Sequence, residues 1–141
     1  MQAYSMKKIK NYVIPRPFYG YNIPIAIQST YLRDYAAKNN YKFSLPVTEI
    51  SKLDSYSILR GLLEKKEEKL SNLAMVSIFM LPVFDIKKIN TLFNKKHLEG
   101  MKLHFPLESY LFTVDELINW AENSTPLINI SNDFSKVNKF I

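Results

Sequence analysis

The sequence predicts one α/β domain with an open, mainly parallel sheet of four to five strands and helices on both faces. Apolar segments of strand length alternate four times with amphipathic helical segments along the 141 residues, and parallel neighbours require such crossover helices. Residues 73–79 form a nearly continuous apolar segment, as expected for a central strand covered by helices on both sides. The length is that of one ordinary domain, so the chain can bury a sizeable core.

The first half of the chain supplies two strands and two helices. Residues 9–14 are rich in β-branched and aromatic side chains and predict a strand that ends at Pro15. Apolar residues then recur at three- and four-residue steps over 24–40, which predicts an amphipathic helix. The alternating residues 41–45 predict the second strand, and Asp54 is the expected N-cap of the second helix.

The second half begins with the central strand and adds two helices and a further strand. Asp85 is the expected cap of a third helix that ends near Gly100. Residues 101–105 alternate and predict the fourth strand. Thr113 and Glu116 have the spacing of a capping box, which predicts the start of the last helix.

Domain organisation and location follow from the same periodicity. We expect residues 1–124 to form the α/β domain and residues 125–141 to form an extended C-terminal tail, because regular periodicity ends after Ser124. The longest apolar run, 73–84, is too short to cross a bilayer, and no secretory signal is expected at the start. Together with the absence of cysteine, these features predict a cytoplasmic protein without a membrane span.

The positive charge of the chain comes almost entirely from lysine. The formal net charge is +6, and the only arginines are Arg16, Arg33 and Arg60. Contacts to bases favour the planar guanidinium of arginine, whereas the lysines are scattered and partly interleaved with glutamates. We therefore interpret the lysines as solvated helix faces and expect no specific nucleic-acid partner.

Composition also excludes several kinds of site. The absence of cysteine excludes disulfides, thiolate metal sites and cysteine nucleophiles. The three glycines, Gly20, Gly61 and Gly100, stand about forty residues apart, too far for a glycine-rich phosphate loop. Two histidines without a metal-binding spacing give no recognisable metal site. We therefore expect no metal and no cofactor.

A binding site is expected at the carboxyl ends of the strands, where open parallel sheets bind their ligands. The four loops at that edge are 15–24, 46–56, 79–85 and 104–113. Arg16 follows the first strand between two prolines, and Phe18 and Tyr19 come next. A guanidinium can hold an anionic group while a ring stacks on a sugar or base, so we predict these three as substrate-binding residues. A surface arginine in a proline-stiffened loop is the alternative.

Candidate catalytic residues follow other strands of the same edge. We predict that His104, Glu49 and Glu108 supply general acid–base catalysis, because a histidine titrates near neutral pH and carboxylates can assist it. The alternative is structural: a packed histidine and two helix-capping carboxylates. Further substrate-binding candidates, each of which could instead pack in the core, are Tyr12, Gln28, Arg33 and Ser77.

Three features in chain order, namely Tyr12 on the first strand, Gln28-x-x-x-Leu32-Arg33-Asp34-Tyr35-Ala36 on the first helix and the later Leu103-x-Phe105-x-x-Glu108, resemble the catalytic domain of serine recombinases, the resolvases. The predicted fold is accordingly resolvase-like or flavodoxin-like. The first motif of the resolvases, Tyr-x-Arg-x-Ser, corresponds to Tyr12-Val13-Ile14-Pro15-Arg16, and their second, Leu-Asp-Arg-Leu, corresponds to Phe79-Met80-Leu81-Pro82. The nucleophilic serine and the phosphate-binding arginines of those motifs are replaced here. The resemblance therefore implies the fold and argues against recombinase activity.

A second resemblance rests on short blocks that occur in a fixed order. The blocks are Tyr12-x-x-x-Arg16-Pro17-Phe18, Ile23-Pro24, Leu32-Arg33-Asp34-Tyr35, Thr48-Glu49, Gly61-Leu62-Leu63-Glu64, Ser77-x-Phe79-Met80-Leu81-Pro82 and Leu103-His104-Phe105-x-x-Glu108. In this order they resemble the sporadic carbohydrate-cluster proteins, which are encoded among bacterial genes for lipopolysaccharide and other surface glycans. The resemblance implies a pathway and no particular reaction.

The functional expectation combines the predicted edge with this resemblance. We expect a protein of surface-polysaccharide (lipopolysaccharide or O-antigen) biosynthesis that binds or modifies an anionic sugar or nucleotide-sugar intermediate at the carboxyl edge of the sheet. The alternative is a non-catalytic, dimeric binding or scaffolding module with a resolvase-like fold, for which a homodimer would be the partner.

Overall fold

The computed structural model describes residues 6–67 and 69–124. The strands are β1 (Lys7–Val13), β2 (Tyr41–Phe43), β3 (Val47–Thr48), β4 (Asn72–Ala74), β5 (Lys102–Phe105) and β6 (Tyr110–Thr113). The helices are α1 (Ile25–Lys38), α2 (Ser57–Glu64), α3 (Ile86–Phe93) and α4, which begins at residue 114 and is described to residue 124. Two short 3₁₀ helices span Ile78–Met80 and Lys96–Leu98. The predicted tail, 125–141, lies outside the described residues.

The strands form one mainly parallel sheet, which confirms the predicted α/β class. Their order is β2-β1-β4-β5-β6, with β3 paired to the carboxyl end of β1. The pairs from β2 to β5 are parallel, and β6 is antiparallel to β5. The crossover from β3 through α2 therefore carries the chain past β1 to its other side.

Strand β1 is an interior strand of the sheet, between β2 and β4, and has both faces covered. Successive strand residues point to opposite faces, so the consecutive buried residues Asn11, Tyr12 and Val13 require packing on both sides. The same holds for β4, which is buried throughout. In contrast, β6 alternates between half-buried and exposed residues, as expected for the last strand of a sheet.

Three strand predictions need correction. The predicted second strand, 41–45, ends at Phe43, and β3 lies beyond Pro46 in the predicted loop 46–56, since proline has no N–H for the ladder. The central strand ends at Ala74, and the chain then turns into a 3₁₀ helix whose first N–H groups bond to Ser77 and Glu108. The predicted loop 104–113 is instead a hairpin that contains β6, an element that the sequence reading missed.

The helix caps were predicted with mixed success. The Asp85 side chain accepts a hydrogen bond from the Lys88 N–H at 3.2 Å, and the capping box of Thr113 and Glu116 forms in both directions, also at 3.2 Å. The prediction that Asp54 caps α2 is wrong. Helix α2 begins at Ser57, and its N-terminal N–H groups bond to Glu49, a residue distant in sequence. Helix α3 ends at Phe93, well before the predicted end near Gly100.

Candidate functional site

A cleft opens at the carboxyl edge of the sheet between the loops that follow β1 and β4. The connection after β1 leads to β2 on one side, whereas β4 lies on the other side, so the two loops diverge and leave a crevice. The cleft has a volume of about 270 Å³. Its lining comes from three segments, represented by Arg16, Phe18, Tyr19, Asp54, Tyr56, Phe79, Pro82, Phe84, Asp85 and Lys88.

Tyr19 occupies a tight turn at the mouth of this cleft. The N–H groups of Phe18 and Tyr21 donate to each other's carbonyl oxygens at 2.9 and 2.8 Å, and Tyr19 and Gly20 between them have φ values of 48° and 80°. Positive φ at both central residues defines a type I′ turn. A bulky residue in the left-handed region is uncommon and costs conformational energy, and glycine, asparagine or aspartate is usual at such a position.

The ring presented by this turn stacks on two phenylalanines from the opposite loop. The Tyr19 centroid lies 4.3 Å from that of Phe79 with an interplanar angle of 11°, and 5.5 Å from that of Phe84 with an angle of 24°. Tyr19 is nevertheless 53% exposed, and Phe84 is also exposed. Phe18, the other predicted stacking residue, is buried against Tyr21. The rings that face the cleft are therefore those of Tyr19, Phe79 and Phe84.

Arg16 is almost buried and joins the first loop to the segment after β3. Its guanidinium Nη1 donates to the carbonyl oxygens of Ile50 and Lys52 at 3.4 and 3.3 Å, and its Cζ lies 5.0 Å from the ring centroid of Tyr56. A guanidinium has five N–H donors, more than these two backbone bonds use. Arg16 is thus a structural bridge that also lines the cleft.

Glu49 is a buried carboxylate that organises the start of α2. Its Oε1 accepts hydrogen bonds from the Tyr12 hydroxyl at 2.9 Å and the Leu59 N–H at 3.2 Å. Its Oε2 accepts from the N–H groups of Ile50 and Ile58 at 2.9 and 3.1 Å. Burial alone would raise the pKa of Glu49, but these donors outweigh it and hold the pKa below its ordinary value. Both oxygens are therefore occupied by the fold.

Tyr12 is the partner of Glu49 and belongs to the same structural unit. It is fully buried on β1, and burial together with the adjacent carboxylate raises the pKa of its phenol well above the ordinary value. The hydroxyl consequently remains protonated and donates to Glu49.

Glu108 has an equivalent structural role at the 3₁₀ helix that follows β4. Its carboxylate accepts from the Ser77 hydroxyl at 2.8 Å and from the Ile78 N–H at 2.6 Å. The Ser77 oxygen in turn accepts from the Phe79 N–H at 3.1 Å. Together, Ser77 and Glu108 fix the backbone that carries Phe79 into the cleft.

His104 lies in a separate, buried cluster. Its Nδ1 lies 2.7 Å from the Tyr35 hydroxyl, and its Nε2 lies 2.9 Å from the Asn72 Oδ1. With Nε2 protonated, the ring donates to the Asn72 oxygen and accepts from Tyr35. Burial, aided by the positive charge of Lys102, lowers the pKa of His104 to about 4. The imidazole is therefore neutral near pH 7, and both nitrogens have protein partners.

The remaining candidates have separate positions. Gln28 is fully buried on α1 and bonds to the N–H and C=O of Ile14 at 3.2 and 2.8 Å and to the Ile23 carbonyl at 2.8 Å, which fixes the loop after β1. Arg33 is exposed on α1, with its Cζ 5.2 Å from the ring centroid of Phe43 on β2.

The predicted residues are thus divided among distinct environments. Arg16, Phe18 and Tyr19 line the cleft, and Glu49, Glu108 and Ser77 support its walls from below. His104 and Arg33 are elsewhere. The catalytic roles of His104, Glu49 and Glu108 remain predictions, and the structure gives each of them a structural set of hydrogen bonds.

Sequence reasoning missed Phe84 and Lys88, which also line the cleft. Lys88 follows the helix cap Asp85 by three residues, so its position at the start of α3 could have been found from that cap. Phe84 carried no signal of its own, because a loop aromatic is equally compatible with packing.

Two further observations concern the described part of the chain. Within residues 6–67 and 69–124, no group of three or more His, Asp or Glu side chains is placed to hold a metal ion. No helix in those ranges is long and apolar enough to cross a membrane.

We predict that Glu49→Gln destabilises the fold by about 2–4 kcal/mol. The glutamine NH₂ group would replace one carboxylate oxygen, so N–H groups that now donate to that oxygen would face another donor. Urea unfolding measures this change. The matched control is Glu64→Gln on the exposed end of the same helix, for which we expect a change within about 0.5 kcal/mol. Equal effects of the two substitutions would contradict the structural role of Glu49.

We also predict an acid-dependent loss of stability from His104. Its folded pKa of about 4 lies below the unfolded value of 6.5, so the unfolded chain takes up a proton first and stability falls as the pH drops from about 6.5 towards 4. Between pH 7 and pH 5 the loss is about 2 kcal/mol in urea unfolding. His104→Gln should be less stable at pH 7 and lose this slope. A slope that persists in the variant would show that another group is responsible.

Comparisons with known proteins support the fold only. No protein-family model matches the chain, and no curated protein matches its sequence. Among solved structures, the chain is similar to the N-terminal catalytic domain of TP901-1 integrase, with a TM-score of 0.57, 15% identity, and coverage of 94% of this chain and 99% of that one. The predicted resemblance to recombinase catalytic domains is confirmed as a shared fold, whereas none of the comparisons supports the resemblance to carbohydrate-cluster proteins.

Proposed function

We propose that this protein binds an anionic sugar or nucleotide-sugar in the cleft between the loops after β1 and β4, and that binding rather than catalysis is its role there. The observation that carries the proposal is the ring of Tyr19, held exposed by a left-handed turn and stacked beside Phe79 and Phe84.

The turn supports a ligand because its conformation is unfavourable for tyrosine. Asparagine or glycine would satisfy the same backbone without strain, and an exposed ring gains little from burial. An aromatic side chain at this point is consistent with stacking on a planar ligand or on the apolar face of a sugar. The cleft also lies at the crevice where open parallel sheets bind their ligands.

The charges of the cleft support an anionic group on that ligand. The Arg16 guanidinium lines the cleft with more donors than its two backbone bonds use, and Lys88 contributes an exposed ammonium from α3. Asp54 and Asp85 also line the cleft and would accept hydrogen bonds from sugar hydroxyls. The volume of about 270 Å³ is close to the lower end for ligand pockets, which suits one sugar ring better than a long polymer.

Binding without catalysis is favoured by the hydrogen bonds of the acid–base candidates. A general acid or base must reach the reacting atoms, whereas both oxygens of Glu49 and of Glu108 bond to groups of the fold. His104 is neutral and has partners at both nitrogens. The resemblance to carbohydrate-cluster proteins is the reason for placing such a ligand in surface-polysaccharide biosynthesis.

A dimeric scaffolding module is the second candidate, and the outer edge of the sheet favours it. Strand β6 is last in the strand order, so one side of its backbone has no neighbouring strand in the described chain. Leu111 on this strand is half-exposed. An open edge of this kind can pair with a second copy of the chain.

We predict that UDP-glucuronate and free glucuronate perturb the amide resonances of the cleft segments in NMR titrations. Tyr19→Asn removes the ring and suits the left-handed turn, so it should weaken binding by about tenfold without loss of stability. The matched control is Tyr21→Asn, which removes an equally exposed ring at the end of the same turn, outside the cleft lining.

Lys88→Gln should weaken binding of the anionic probes and leave binding of neutral glucose unchanged, since the substitution removes a charge and no ring. If neither sugar probe binds and sedimentation shows a dimer that is disrupted by Leu111→Lys, the scaffolding candidate replaces the sugar-binding proposal.

A further inference from the structure

A second groove lies at the opposite edge of the sheet, where the parallel strands begin. It has a volume of about 750 Å³. Its lining is Met6, Lys7, Lys8, Lys10, Ser44, Lys69, Leu70, Ser71, Asn72, Gly100 and Lys102. The first residues of β1, β4 and β5 therefore contribute to it directly.

This groove gathers much of the positive charge of the chain. Five lysines line it, and none of the lining residues that the structure describes is acidic. The sequence reading interpreted the lysines as solvated helix faces, but Lys7, Lys8 and Lys10 belong to β1 and Lys102 to β5. Lys7 and Lys102 lie on one face of the sheet and Lys8 and Lys10 on the other, and the side chains of both faces line the groove around the end of the sheet, where adjacent strands lie about 4.8 Å apart. The mutual repulsion of the ammonium groups is relieved by an anion.

Asn72 supplies a fixed polar group among these flexible side chains. It is 5% exposed, and its Oδ1 lies 2.9 Å from Nε2 of His104, whose other nitrogen lies 2.7 Å from the Tyr35 hydroxyl. Because the amide oxygen faces the imidazole N–H, the Asn72 NH₂ group is the part available to the groove that Asn72 lines. The buried network thus orients a hydrogen-bond donor beside the lysines.

The groups around this groove specify the chemistry of a ligand. Ammonium and amide NH₂ groups are donors, and the hydroxyls of Ser44 and Ser71 can also donate. Phosphate oxygens are acceptors with high charge density, and lysine binds phosphate as a point charge. The lining has no aromatic residue for stacking on a base, so the charge of a ligand and its number of hydrogen-bond acceptors determine whether it binds.

We propose that the groove at the amino edge of the sheet binds a small ligand with two or more adjacent phosphate groups. The volume of the groove lies in the range for small-molecule sites, whereas sequence-specific nucleic-acid surfaces rely on arginine, which the groove lacks. The site is separate from the cleft of Tyr19, since the two lie at opposite ends of the strands. It does not depend on the proposed function of that cleft.

The experiment titrates the full chain with inorganic tripolyphosphate, pyrophosphate and orthophosphate by isothermal calorimetry at low salt. We expect affinity to rise from orthophosphate to tripolyphosphate and to fall steeply with added NaCl. Lys10→Gln/Lys102→Gln should weaken tripolyphosphate binding by roughly tenfold or more. The matched control is Lys87→Gln/Lys96→Gln, which removes the same net charge outside the groove and should change binding by less than about twofold.

Two results would overturn the proposal. Equal weakening by both double variants would show a response to net charge alone, with no defined site. A single-stranded 12-mer oligonucleotide that binds more tightly than tripolyphosphate, and loses that binding in Lys10→Gln/Lys102→Gln, would assign the groove to a nucleic-acid backbone instead. Circular dichroism of each variant confirms that the exposed substitutions leave the fold intact.

Discussion

The buried carboxylate of Glu49 is the interaction on which the carboxyl edge of the sheet depends. One side chain joins the carboxyl end of β1, through the Tyr12 hydroxyl, to the N–H groups that begin α2. A helix N-terminus carries unsatisfied N–H groups and a partial positive charge, so an ionised carboxylate there is well stabilised despite burial. Because α2 carries the chain from β3 to β4, this contact also fixes where the two loops of the cleft diverge.

Glu108 has the same role at the 3₁₀ helix that follows β4. Because both carboxylates bond to groups of the fold, other side chains form the exposed part of this edge. With Ser77, Glu108 holds the 3₁₀ helix that presents Phe79, and Gln28 fixes the loop that presents Tyr19. The edge is therefore a rigid support for stacked rings. At the opposite edge, His104 orients Asn72 among the lysines. The buried polar residues at both edges position other side chains.

The sequence pattern predicted the fold because β1 and β4 are buried on both faces, and such strands can be recognised as short segments rich in apolar residues. Local caps such as Asp85 were predictable for the same reason, since donor and acceptor are three residues apart. The cap of α2 was not, because Glu49 reaches Ile58 across nine residues of irregular chain. The sequence indicated that Glu49 and Glu108 lie near the edge of the sheet, but whether a carboxylate faces a ligand or a backbone N–H depends on tertiary geometry. The lysine groove was missed because its lysines come from β1, from the segment before β4 and from β5, which are distant in sequence.

The claim that Glu49 is ionised and holds the start of α2 can be tested by NMR. The amide resonances of Ile50, Ile58 and Leu59 should shift together as the pH is lowered, since all three N–H groups donate to this carboxylate. We expect the three amides to titrate with one common midpoint, which lies below the ordinary glutamate pKa of 4.5. A midpoint at or above that value, or three amides that titrate independently, would contradict the claim.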